Sequence, residues 1–234
     1  MTFFNPNPTV SIVPISRERN CVVIDDVLAD PQRMAAWAAG QAFGAPNNPY
    51  PGLVLDPPAA VTQRMSDYFA TYARSCLGGL QTQAATLRFS MVTLPAAQLR
   101  PIQWLCHRDR LAVNPERVLY AASVLYLFRD PRLGGTNFYE PIGSREQLTQ
   151  MLADANTLSA EQFADRYGLQ PSYMAGSNAY FERVAQVSAA WNRMIFYDGG
   201  QFHSGEINES AGMSTDPRAG RLTLNGFFVC SRAQ

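Results

Sequence analysis

His107 and Asp109, two positions apart in WLCHRDRLAVN (104–114), are side chains whose types and spacing suggest metal chemistry. In an extended strand, residues i and i+2 project from one face, so an imidazole and a carboxylate would stand side by side. A second imidazole would complete a two-histidine, one-carboxylate facial triad, which holds Fe(II) and leaves coordination positions open. The chain has one other histidine, His203, in RMIFYDGGQFHSGEI, where a strand-like run and a Gly-Gly turn precede it. Eighteen residues further on, Arg221 and Thr223 share one face of a predicted strand in AGRLTLNGFF. Burying an arginine in an apolar strand is costly unless a partner compensates its charge, and a carboxylate is the geometric match for its fork. An arginine snorkelling at a strand edge is the plainer alternative.

The same stretch spells His107-Arg108-Asp109 with Asn114, the H-R-D-x-x-x-x-N pattern of a protein kinase catalytic loop. A kinase also needs a Gly-rich loop and a strand-borne lysine upstream, and a D-F-G downstream. None of these is present, and all 19 basic residues are arginines. The kinase reading is rejected, and the metal reading stands.

Composition narrows the partners. Basic and acidic residues balance at 19 each, and the charged fraction of 16 % lies below the usual value of about 25 %. There is no basic run, so neither nucleic acid nor an anionic membrane is an expected partner. The start MTFFNPNPTV does not read as a signal peptide, and the apolar stretch VLYAASVLYLF (118–128) is too short to span a bilayer. Cys21, Cys76, Cys106 and Cys230 form no C-x-x-C pair and read as buried, reduced thiols of a cytoplasmic protein. At this length the chain, 1–234, is expected to be a single domain with an insertion.

The elements that must position these residues follow from pattern. NCVVIDDVLADPQRMAAWAAG reads as a strand, a turn and a helix capped by Asp30 and closed by Gly40. Asn, Pro and Gly make GAPNNPYPG (44–52) an exposed loop. PPAAVTQRMSDYFATYARSCLGG carries apolar residues at three- and four-residue steps and reads as an amphipathic helix. From about residue 86, TLRFSMVTL, IQWLCH, VLYAASVLYLF, GTNFYEP, RMIFYDG and RLTLNGFFVC read as strands. Between them, SREQLTQMLADAN and SAEQFADRYG each open on a capping box, which makes 144–180 a helical insertion. The expected class is mainly β with flanking helices (α+β), a sandwich or barrel with helices packed outside.

Taken in order, these motifs resemble the Fe(II)/2-oxoglutarate-dependent dioxygenases, and among them the prolyl-4-hydroxylase-like branch. The resemblance runs from VVIDDVLADPQRMAAWA through His107-x-Asp109 and SVLYLFRDPRLGGTNFYEP to RMIFYDGGQFHSGEI and GRLTLNGFF. It implies a double-stranded β-helix, a jelly-roll or cupin-like barrel. His107, Asp109 and His203 would hold Fe(II). Arg221 would bind the distal carboxylate of 2-oxoglutarate, with Thr223 beside it and Tyr126 donating to the same carboxylate; a core role for Tyr126 stays open. Gly134 and Gly135 would let the chain turn with positive φ. The implied activity is that of a hydroxylase-type oxidoreductase acting with O₂ on a small-molecule or peptide substrate, in a pocket near Tyr139, Trp191 and the insertion. A homodimer is allowed for. Two alternatives remain, a cupin-like metal enzyme that does not use 2-oxoglutarate and a non-catalytic barrel that only binds.

Overall fold

Ten strands and four α-helices form among residues 2–109 and 114–232, the residues described by the computed structural model. They run β1 (Thr9–Pro14), β2 (Asn20–Asp25), α1 (Pro31–Ala39), β3 (Gly52–Leu55), α2 (Ala59–Tyr72), β4 (Gln81–Val92) and β5 (Val118–Tyr126). Then follow β6 (Thr136–Pro141), α3 (Arg145–Thr157), α4 (Ala160–Tyr167), β7 (Phe181–Val187), β8 (Met194–Asp198), β9 (Phe202–Gly205) and β10 (Leu222–Ser231). The local signals act as expected. Asp30 accepts the Arg33 amide at 2.9 Å, and Pro31 opens α1. Ser144 and Ser159 each close a reciprocal capping box, with Gln147 and Gln162.

All strand pairings are antiparallel and give two sheets, β1-β2-β8-β5-β10-β4-β3 and β7-β6-β9. Period-two alternation splits the large sheet into two different faces. On one, Leu87, Phe89, Met91, Leu224 and Phe228 pack against Met65 and Phe69 of α2. Phe69 stacks on Phe228 with centroids 4.2 Å apart. On the other, Tyr126, Ile195 and Tyr197 join Phe138 and Val187 of the small sheet in a second apolar cluster. The far side of the small sheet, at Tyr139, Phe181 and Phe202, is covered by Met151 of α3 and Phe163 of α4. The insertion is therefore the outer wall of that sheet.

Several expectations are corrected. IQWLCH is not a strand: Pro101 opens a short 3₁₀ turn, Pro101–Trp104, and the Trp104 indole donates to the Leu99 carbonyl at 3.1 Å. Its apolar residues signal burial against the insertion, which periodicity alone does not distinguish from a strand. Strands β1, β3, β7 and β9 come in addition to those expected, and β4 begins at Gln81. The four cysteines are free, but Cys76 is exposed. Arg110 to Val113 of the HRD stretch lie outside the described residues. Among the described residues, no helix is long and apolar enough to cross a membrane.

Candidate metal centre and its cavity

His107 and His203 form a single antiparallel rung, each amide donating to the other's carbonyl at 2.9 Å. Two residues on, the Asp109 amide donates to the Gly199 carbonyl at 2.9 Å. These bonds tie the His107–Asp109 segment to the turn and strand that lead to His203. Although the segment is not a regular strand, the juxtaposition of His107 and Asp109 survives.

The three side chains converge, with one ligand atom from each lying within 4.8 Å of the others. His107 Nε2 is 3.6 Å from Asp109 Oδ1, and His203 Nε2 is 3.5 Å from Asp109 Oδ2. His203 Nδ1 lies 2.9 Å from the Gln201 carbonyl. Only a protonated Nδ1 can donate there, so the Nε2 lone pair faces the carboxylate and is free to ligate. Burial pushes the His203 pKa down to about 4, against the pull of Asp109, and keeps the ring neutral at pH 7. Burial also raises the Asp109 carboxyl, but His203, His107 and Arg88 together hold it below the usual carboxylate range. Asp109 Oδ2 is buried without a hydrogen-bond partner. An orphaned carboxylate oxygen facing an imidazole nitrogen is costly as it stands and fits a divalent cation shared by the three.

Arg221 lines the same cavity, whose volume is about 570 Å³. Its Nε donates to the carbonyls of Leu133 and Gly134 at 3.0 and 3.2 Å, and its Nη2 to that of Gly135 at 2.9 Å. Burial depresses its pKa, and among the described residues no carboxylate lies within ion-pair distance. The guanidinium is oriented by carbonyls, and Glu206 attracts it only from beyond ion-pair distance. The two glycines that present those carbonyls are required for different reasons. Gly134 has φ +80°, and a Cβ there would collide with the Glu206 carbonyl. Gly135 has no positive φ, but its Cβ would run into the Val187 carbonyl.

The remaining expected site residues are more dispersed. Thr223 is buried, and its hydroxyl donates to the Ser90 carbonyl at 3.3 Å. Tyr126 is buried with its hydroxyl 2.8 Å from that of Thr136. Arg221 Cζ lies 5.9 Å from the Tyr126 ring centroid. Both residues lie beside the cavity and not in its wall. Of the two aromatic residues expected near the pocket, Tyr139 lies directly behind its wall, its hydroxyl donating to the Met174 carbonyl at 2.9 Å and accepting from Ser204 at 3.3 Å, whereas Trp191 packs elsewhere, 4.2 Å from Arg129. The insertion does reach the cavity, through Tyr173 and Met174 after α4.

Sequence reasoning missed Tyr50, Arg88, Arg108 and Asn225, all in the cavity wall. Tyr50 sits in the loop expected to be exposed, yet burial pushes its phenol up to about 12 despite the nearby Arg221 and Arg88. Arg88 carried a usable signal, since it interrupts an apolar strand just as Arg221 does.

Fold and site together define a two-sheet β protein whose His-x-Asp…His cluster runs from an exposed His107 to a buried His203 and shares one cavity with an arginine that has no ion-pair partner among the described residues. The chain belongs to a family of unknown function, DUF6445, whose profile matches residues 6–228. No curated protein sequence matches it. Among solved structures it is similar to HygX from Streptomyces hygroscopicus with nickel and 2-oxoglutarate bound, at 10 % identity and a TM-score of 0.49. That match covers 91 % of this chain and 83 % of HygX. It is also similar to the epimerase SnoN in complex with Fe³⁺, alpha ketoglutarate and nogalamycin RO, at 13 % identity, 93 % and 83 % coverage, and a TM-score of 0.49. A third similar structure is EvdO2 from Micromonospora carbonacea var. aurantiaca, at 12 % identity, 97 % and 94 % coverage, and a TM-score of 0.47.

Proposed function

We propose that the protein is an Fe(II)- and 2-oxoglutarate-dependent oxygenase that hydroxylates a small molecule or peptide. We read residues 1–234 as one double-stranded β-helix unit of the prolyl-4-hydroxylase-like kind, with the two sheets as its walls. One observation carries the reading: a converged two-histidine, one-carboxylate cluster shares a cavity with a buried arginine that has no carboxylate within ion-pair distance among the described residues. A metal site alone would have no use for that arginine.

In this reading His107, Asp109 and His203 hold the iron. With 2-oxoglutarate and O₂, the bound metal supplies oxidative decarboxylation to succinate and CO₂, coupled to insertion of one oxygen atom into a substrate C–H bond. Arg221 grips the distal carboxylate of 2-oxoglutarate, and the carbonyls behind it fix the direction of its fork. Thr223 and Tyr126 support that end from the adjoining shell, where Thr223 ties β10 to β4 and Tyr126 packs beside Arg221. Gln201 keeps His203 in the ligating tautomer.

Fe(II) and 2-oxoglutarate added without oxygen should produce a weak visible charge-transfer band. The band should vanish in His107→Ala and weaken in Arg221→Ala. Iron binding with no band in the wild type would shift the reading to a metal enzyme that does not use 2-oxoglutarate.

A further inference from the structure

The reading above leaves a second arginine in the cavity without a task. Arg88 projects from β4 toward the rings of Tyr50 and Phe227, its Cζ 5.3 and 5.2 Å from their centroids. Its Nε is buried without a hydrogen-bond partner, and among the described residues no carboxylate lies within ion-pair distance. Asn225 of β10 is its direct cross-strand neighbour, and Asn225 Oδ1 is also buried and unpartnered. Both line the cavity. A lone donor and a lone acceptor thus sit side by side without satisfying one another.

The charge balance points the same way. Among the described residues, the charged side chains lining the cavity are Arg88, Arg108 and Arg221 against Asp109. A divalent ion and a 2-oxoglutarate dianion cancel one another, so the excess of guanidinium remains after both are bound. A cavity of about 570 Å³ falls within the ordinary range of small-molecule sites, and its remaining ligand should be an anion.

We propose that Arg88 and Asn225 form the subsite for the primary substrate, a small carboxylic acid with a hydrogen-bond donor beside its carboxylate, as in an α-amino or α-hydroxy acid. This rests on the iron and 2-oxoglutarate reading of the neighbouring site. The carboxylate accepts from the Arg88 fork, and the ammonium or hydroxyl donates to Asn225 Oδ1. Tyr50 and Phe227 flank the guanidinium and reduce its contact with water.

The test starts from oxygen-free protein loaded with Fe(II) and 2-oxoglutarate, with the charge-transfer band recorded first. Calorimetric titration follows, using one pool of L-α-amino acids, one pool of L-α-hydroxy acids, and the α-carboxamides of each. One acid pool should contain a binder that also perturbs the band, and the binder's carboxamide should bind at least tenfold more weakly. Arg88→Gln should weaken the acid at least tenfold and 2-oxoglutarate less than threefold, with Arg221→Gln giving the reverse pattern. A band that responds to neither pool, a carboxamide that binds equally well, or an Arg88→Gln that costs 2-oxoglutarate as much as the acid overturns the proposal. A wild type without the band sinks the metal-site reading instead, and the same titration of metal-free protein then decides the subsite alone.

Discussion

The two faces of β4 and β10 come from the same strands and do opposite work. Toward α2, Leu87, Phe89, Met91, Leu224 and Phe228 are closed and apolar. Toward the cavity, Arg88 and Asn225 each keep a buried polar atom without a partner. Burial of apolar surface on the first face stabilises the fold, and that stability allows the second face to hold polar groups in an uncomplemented state. Within one strand the division is made by odd and even positions.

The largest effect should come from breaking the closed face. Phe89→Ala removes a fully buried ring and should cost about 3–5 kcal/mol by denaturant unfolding, while the protein that remains folded binds metal as before. Next is the Gly-Gly step behind Arg221. Gly134→Ala combines positive φ with a collision at the Glu206 carbonyl and should cost about 2–4 kcal/mol, with 2-oxoglutarate affinity falling alongside. On the open face the sign should reverse. Asn225→Leu replaces an orphaned acceptor and should leave stability unchanged or raise it by up to about 1 kcal/mol, because the site trades stability for binding.

The smallest effect belongs to the outer wall, away from both faces. The Tyr167 hydroxyl donates to Asp154 at 2.6 Å, with Gln150 and Arg166 adding to it, and these hold the Asp154 carboxyl below its ordinary value. A carboxyl depressed on folding contributes stability above its unfolded pKa, roughly 3.9, and loses it as pH falls through the lower folded value. Wild type should therefore melt above Asp154→Asn at neutral pH, and the gap should close in acid.

Much of this was legible because residue type limits the choices. With only two histidines and one H-x-D, the cluster of His107, Asp109 and His203 followed from chemistry and order, and the chain brings these three together. Arg221 stood out as a charge in an apolar strand. The same rule applied to TLRFSMVTL would have found Arg88. Tyr50 was hidden because Asn and Pro around it signal a turn, and a turn signal does not say whether a loop folds inward. Trp191 was misplaced because aromatic character marks burial without specifying which layer is buried. His107 and Asp109 converge through bonds to residues about 90 positions away, at Gly199 and His203, which no local pattern specifies.

The central claim is that the metal and Arg221 grip opposite ends of one molecule. Thermodynamic linkage then requires each to strengthen the other's ligand. Calorimetry of metal-free protein with Mn(II), then 2-oxoglutarate, and in the reverse order, measures this directly. One Mn(II) should bind per chain, and 2-oxoglutarate should bind at least tenfold tighter with the metal than without it. Equal 2-oxoglutarate affinity in both states, or no Mn(II) binding, would contradict it.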